Sequence, residues 1–245
     1  MGKITVIGIG PGSLDEMTPR ARAAIEAADV IAGFTTYIKF IDELIKGREV
    51  IGTGMMQEVD RCRLAVKCAA EGKKAVMISS GDAGIYGMAG LVYEIAFGYP
   101  QETRPEVEII AGISAVNAAA AVLGAPLMHD FVVISLSDRL TPWGLIKKRA
   151  ALAAQGDYVI ALYNPKSKSR VKNIDEIHDI LMQYKSPETP VGIVRSASRS
   201  DERKIITNLR DFTNEEIDMF SIVIIGNSKT FVRDGVMVTP RGYKL

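Results

Sequence analysis

Short apolar runs rich in Val and Ile alternate along this chain with longer stretches whose apolar residues recur every three or four positions. The first pattern fits buried strands and the second fits helices with one apolar side. Strands are expected over 4–8, 29–32, 49–51, 75–79 and 107–110, with helices over 18–28, 37–45, 57–71, 85–97 and 114–123. Thr18-Pro19 opens one of these helices with a capping hydroxyl and a proline in its first turn. A break from Gly124 to Asp130 interrupts the series. Alternation resumes with strands over 131–135, 158–163, 190–194, 204–207 and 221–225 and helices over 142–154 and 171–184. Such alternation predicts an α/β protein: two α/β domains with mostly parallel or mixed sheets covered by helices, residues 1–124 and 125–245.

Three strand ends of the first half run into glycine. Ile78-Ser79-Ser80-Gly81-Asp82-Ala83-Gly84-Ile85-Tyr86-Gly87 breaks a strand into small residues before a helix, where an α/β sheet offers backbone N–H and C=O groups to a ligand. It has no Gly-Lys-Ser/Thr for phosphates and magnesium, and the Asp82 carboxylate would repel a phosphate. A cationic or neutral ligand suits it better, and Asp82 could equally stand near a helix N-cap. Gly81 and Gly84 are expected to let backbone approach a ligand where a β-carbon would intrude. Val6-Ile7-Gly8-Ile9-Gly10-Pro11-Gly12-Ser13 approaches a dinucleotide fingerprint but fails it, because Ser13 holds the third glycine position and the helix starts late. Asp29, near the distance of a ribose acid, reads equally well as a strand start. The third loop is Ala111-Gly112-Ile113-Ser114-Ala115, where Ser114 can cap the alanine-rich helix, anchor a ligand, or do both. Ligands of open α/β sheets collect at the carboxyl ends of strands, so the three loops are expected to converge on one crevice.

Composition narrows the classes. The chain has 245 residues, 47% hydrophobic and 24% charged, with a net charge of +1. That balance fits a soluble globular protein and argues against a general nucleic-acid or membrane-surface binder. Cys62 and Cys68 lie in one helical pattern without a Cys-x-x-Cys or a His cluster, which suggests neither a disulfide framework nor a protein-bound metal. No apolar run approaches membrane-spanning length and no signal precedes Ile4, so a cytoplasmic protein is expected.

The three loops, in this order and spacing, resemble the N-terminal motifs of the tetrapyrrole methylases, S-adenosylmethionine-dependent enzymes of cobalamin and sirohaem synthesis. With Leu162-Tyr163-Asn164-Pro165-Lys166-Ser167-Lys168-Ser169-Arg170, the pattern is most similar to the branch that methylates C17 of precorrin-3B, or of its cobalt counterpart, with ring contraction. The resemblance implies a cofactor site in the cleft between the halves and a homodimer acting on a small-molecule tetrapyrrole. Pro11, Ser80, Gly81, Asp82, Ile85, Ser114 and Ala115 match the cofactor loops. Asn164 aligns with an adenine-end position where relatives often carry Met, and Ala197 with a cofactor position where they often carry Gly.

A sulfonium methyl is already activated, so placement of the ring carbon is the main requirement, with a positioned acid or base for the proton movements of contraction. His129, Asp82 and Tyr163 are the candidates, with His129 also suited to a hinge; His178 reads as a solvated surface residue. The substrate carries many carboxylates, and two basic stretches follow strand ends: Lys166, Lys168, Arg170 and Lys172, then Arg195, Arg199 and Arg203. Arg195, Arg199 and Lys166 are the expected substrate contacts, against the ordinary alternative of solvated loop charges. A different methylase of the corrin and sirohaem pathways, or a tetrapyrrole-binding module without catalysis, would keep the same loops.

Overall fold

The computed structural model describes residues 2–168 and 170–244. Two compact units divide the chain, Met1–Ala115 and Val116–Leu245. The expected boundary at 124–130 falls one helix later in the chain.

In the first unit, β1 (Lys3–Gly8), β2 (Val30–Phe34), β3 (Glu49–Thr53), β4 (Lys74–Ser79) and β5 (Glu106–Ile110) form a parallel sheet in the order β3-β2-β4-β1-β5. Strand alternation divides its side chains between two cores. Ile4, Val6, Ala75 and Met77 face α3 (Glu58–Ala70) and α4 (Ala89–Phe97), while Ile7, Val76 and Ile78 face α1 (Pro19–Glu26). Thr18 Oγ1 accepts the Ala21 N–H at 3.1 Å, so the predicted cap forms. Asp29 accepts the Lys74 N–H at 2.8 Å, tying the entry of β2 to β4. The helix expected over 37–45 is instead α2 (Thr35–Ile38) followed by a 3₁₀ segment with a kink at Ile41. Cys62, free and buried, has its thiol pushed up to about 11 by burial, partly offset by Arg61, which keeps it protonated and unreactive.

The second unit starts within the first turn of α5 (Ala115–Leu123), which the short β6 (Gly124–Ala125) follows. Its main sheet joins β7 (Phe131–Ser135), β8 (Val159–Tyr163), β9 (Pro190–Arg195), β10 (Arg203–Asn208) and β11 (Ser221–Ile225) in the order β10-β9-β11-β8-β7. Only β7 and β8 run parallel, and the other three pairings are antiparallel. The connections explain the change: α6 (Trp143–Gln155) carries the chain from β7 to β8, whereas no α-helix separates β9, β10 and β11. Ile146, Ala150, Ile174 and Ile177 from α6 and α7 (Asn173–Leu181) cover one sheet face around Phe212. Leu123 of α5 occupies the space over Gly192 of β9, where a β-carbon would come within 2.5 Å of it. This contact gives α5 to the second unit. A small sheet of β12 (Phe231–Arg233), β13 (Val236–Val238) and β6 has no counterpart among the expected strands.

Candidate functional site

Strand order puts the three glycine loops side by side, because β1 lies between β4 and β5. At their carboxyl ends the backbones touch. A β-carbon on Gly8 would fall 2.4 Å from the Gly81 carbonyl oxygen and 2.8 Å from the Gly112 nitrogen. One on Gly112 would fall 2.3 Å from the same carbonyl. Gly10 and Gly81 exchange backbone hydrogen bonds of 3.2 and 2.8 Å, and Gly81 holds φ +65°, a conformation that L side chains rarely adopt. Gly8 and Gly112 have no room for a side chain, and Gly81 is favoured by its left-handed backbone.

Asp82 braces the junction. Its Oδ1 accepts the Gly84 N–H at 2.8 Å and its Oδ2 accepts the Gly112 N–H at 3.0 Å, linking the second loop to the third. It does not cap a helix, because α4 starts at Ala89 rather than at 85. Tyr86 lies at φ +53°, and Ser79 Oγ takes the Met88 N–H at 3.1 Å, so 84–88 stays a loop. Ser114 is buried, and Ser114 and Ala115 lie beside Gly81: a β-carbon there would be 3.7 Å from Ser114 Cα and 3.5 Å from the Ala115 nitrogen. Pro11, buried, follows Gly10, while Ile85 and Tyr86 are exposed. The first unit thus gathers Pro11, Ser80, Gly81, Asp82, Ile85, Ser114 and Ala115 at one end of its sheet.

The second-unit candidates sit on three loops of their own unit. Tyr163, at the end of β8, accepts the Val116 N–H with its hydroxyl at 2.9 Å and so satisfies a first-turn amide of α5. Asn164 holds φ +50° and donates to Ser135 Oγ at 2.9 Å. Lys166 is half-buried just beyond it, and Ser169 lies outside the described residues. Ala197 is buried between Ser196 and Ser198, both left-handed at φ +53° and +62°. His129 is exposed, and its Nδ1 accepts the Asp130 N–H at 2.8 Å, which puts the ring proton of the neutral form on Nε2. His178 is not a solvated residue: it packs against Phe212 with ring centroids 5.7 Å apart, and its Nε2 is buried without a partner. Helical spacing carries it beside Ile174 and Leu181 on the covered side of α7.

Arg195 meets two carboxylates, donating from Nε to Asp218 at 2.9 Å and from Nη1 to Asp201 at 2.7 Å. The hydrogen bonds to Asp218 and then Asp201 raise its pKa above the ordinary arginine value. Asp201 also takes the Ser196 hydroxyl at 3.1 Å, so Arg195 and its partners hold the loop that carries Ala197. Arg199 and Arg195 both lie over the Phe220 ring, at 5.8 and 5.9 Å. Asp201 and Asp218 escaped the sequence reading, although acidic residues interspersed with the arginines of 195–203 were a visible sign of local pairing.

The family model for tetrapyrrole (corrin/porphyrin) methylases matches residues 3–213. The chain belongs to this family. This methylase is 54% identical over 245 residues to a cobalt-factor III methyltransferase of Priestia megaterium, covering 99% of the chain and 45% of that relative. It is 49% identical to a probable cobalt-factor III C(17)-methyltransferase of Salmonella typhimurium, over 99% of the chain and 100% of the relative. The chain thus spans less than half of the first relative and the whole of the second. Among solved structures, the methyltransferase CobJ superposes with a TM-score of 0.93 at 38% identity, over 98% of this chain and 100% of that one. The resemblance seen in the loops therefore holds both for the family and for its C17 branch, and the α/β class stands. Among the described residues no helix is long and apolar enough to cross a membrane.

Proposed function

We propose that this methylase transfers a methyl group from S-adenosylmethionine to C17 of cobalt-factor III, with contraction of the macrocycle, in cobalamin biosynthesis. The observation that carries this reading is the 49% identity across the full length of a relative named for that reaction. Both relatives described above carry the cobalt-bearing substrate in their names, which favours it over metal-free precorrin-3B.

The first unit's loops fit the cosubstrate. Small residues line their ends, Gly84 is exposed, and the anionic Asp82 favours a cation over a phosphate. S-adenosylmethionine, when bound, supplies an activated methyl on a sulfonium. What the chain contributes is placement, with Pro11, Ser80, Gly81, Asp82, Ile85, Ser114 and Ala115 holding the methionine side. Asn164 is assigned to the adenine end, and Ala197 to the cofactor site, on the resemblance alone. Arg199 and Lys166 are proposed to hold substrate carboxylates. Arg195 is included with them, its two acidic neighbours suiting it also to orienting its loop. Asp82, Tyr163 and His129 each have a hydrogen-bonding task in the fold, and no catalytic acid or base is assigned among them. A homodimer is part of the proposal on the resemblance, and a cytoplasmic location on the lack of a long apolar run in the sequence.

Incubation with S-adenosylmethionine and either cobalt-factor III or precorrin-3B tests the reading. Release of S-adenosylhomocysteine with a product one methyl heavier, faster with the cobalt substrate, is expected. Methyl transfer to neither would refute it.

A further inference from the structure

Arg61 is a buried cation with poor compensation. Its side chain, on the covered side of α3, is 4% exposed. Nη1 donates to Thr53 Oγ1 at 2.7 Å and reaches the Gly54 carbonyl at 3.4 Å. Among the described residues Nη2 meets only the Met88 thioether and a Glu58 carboxylate oxygen, each at 3.9 Å, and Nε is buried without any partner. A thioether is a weak acceptor, and a carboxylate at that distance makes no hydrogen bond. Burying a guanidinium on such terms is costly unless another anion completes the set.

The same residue lines a cavity of about 190 Å³ with Phe34, Tyr37, Met55, Glu58, Ser80 and Tyr86. Phe34 and Tyr37 meet edge to face at 5.2 Å, and Tyr86 and Met55 are 55% and 65% exposed. Large apolar side chains left open to solvent around a buried positive charge suit a flat, largely apolar ligand that bears a carboxylate.

We propose that Arg61 binds a peripheral carboxylate of the tetrapyrrole substrate, with the ring edge against Tyr86 and Met55. This rests on the function proposed above and adds a specificity residue to it. The amino-acid carboxylate of S-adenosylmethionine has the same chemistry and could reach the pocket through Ser80, but it is too small to cover the exposed faces of Met55 and Tyr86.

The test compares the parent with Arg61→Met, Arg61→Lys and Met55→Glu. S-adenosylhomocysteine affinity is read by calorimetry, KM and kcat with cobalt-factor III, and folding by thermal melting. Arg61→Met should raise KM at least about tenfold while S-adenosylhomocysteine binds within about twofold of the parent. Arg61→Lys should recover part of the loss, since it keeps the charge without the fork. Met55→Glu, at an exposed position, should raise KM several-fold by repelling an anion. A folded Arg61→Met enzyme with parental KM overturns the proposal, and so does a loss of S-adenosylhomocysteine binding, which would give the carboxylate to the cosubstrate. If Arg61→Met does not fold, an unchanged KM in Met55→Glu overturns it. A parent that methylates neither tetrapyrrole refutes the methyl-transfer reading instead. Binding of uroporphyrin, followed by fluorescence, then decides the pocket: weaker binding by Met55→Glu supports it and equal binding overturns it.

Discussion

The loops of the two units turn tightly at strand ends by different means. In the first unit Gly8, Gly81 and Gly112 let three backbones meet, and the Asp82 carboxylate is bonded across the junction. In the second unit Asn164, Ser196 and Ser198 adopt positive φ although none is glycine, and side chains hold them: Ser135 on Asn164, Asp201 on Ser196, and Glu202 on the Ser198 N–H at 2.7 Å. Glycine is needed where main chains touch. Where room remains, a polar residue can take the same conformation if its neighbours offset about 1–2 kcal/mol of strain. The first arrangement has no room for a β-carbon at Gly8 or Gly112, and the second is adjustable.

The contrast breaks most sharply at Gly8 or Gly112. Alanine at either would drive a β-carbon into backbone that cannot rotate away, and about 3 kcal/mol or more of unfolding free energy should be lost in denaturant titration, with S-adenosylhomocysteine binding lost too. Asp82→Ala strands the Gly84 and Gly112 amides and should cost about 2 kcal/mol, with weakened S-adenosylhomocysteine binding by calorimetry. Unchanged stability there would mean that the loops are held by backbone alone. Gly81→Ala isolates the dihedral, because its β-carbon would meet nothing closer than 3.5 Å; a loss of about 1 kcal/mol is expected, well short of Gly8→Ala. At the adjustable end, Ser198→Gly should leave stability the same or raise it by about 0.5 kcal/mol, since it relieves a left-handed residue and keeps the backbone bond to Glu202. A clear loss would show that the serine side chain, not the backbone, shapes that loop.

Much of the site was legible because its signals are local. Glycine clusters directly after β-branched runs mark strand ends, so all three loops could be located, and Thr18-Pro19 marked its helix start. Helix and strand existence held for most segments, since periodicity records which side of an element is buried. The start of α4 was misjudged because 85–88 continue an apolar pattern while Tyr86 and the Ser79 hydroxyl keep them out of the helix. His178 was misjudged because a polar residue between acids looks solvated until Phe212, far along the chain, covers it.

The amino-acid sequence by itself determined the α/β class, the positions of the glycine loops and their family resemblance, because each depends on neighbours within a turn or a strand. Tertiary structure alone decided which strands lie side by side. Inserting β1 between β4 and β5 brings Gly8, Gly81 and Gly112 into contact and gives Asp82 a partner thirty residues away. It likewise turned the second sheet largely antiparallel, neutralised Arg195 with Asp201 and Asp218, and left Arg61 buried beside an open cavity. Strand order, strand direction and charge pairing are set by long-range packing and by what the connections can span, and a local pattern of apolar and polar residues carries no record of either.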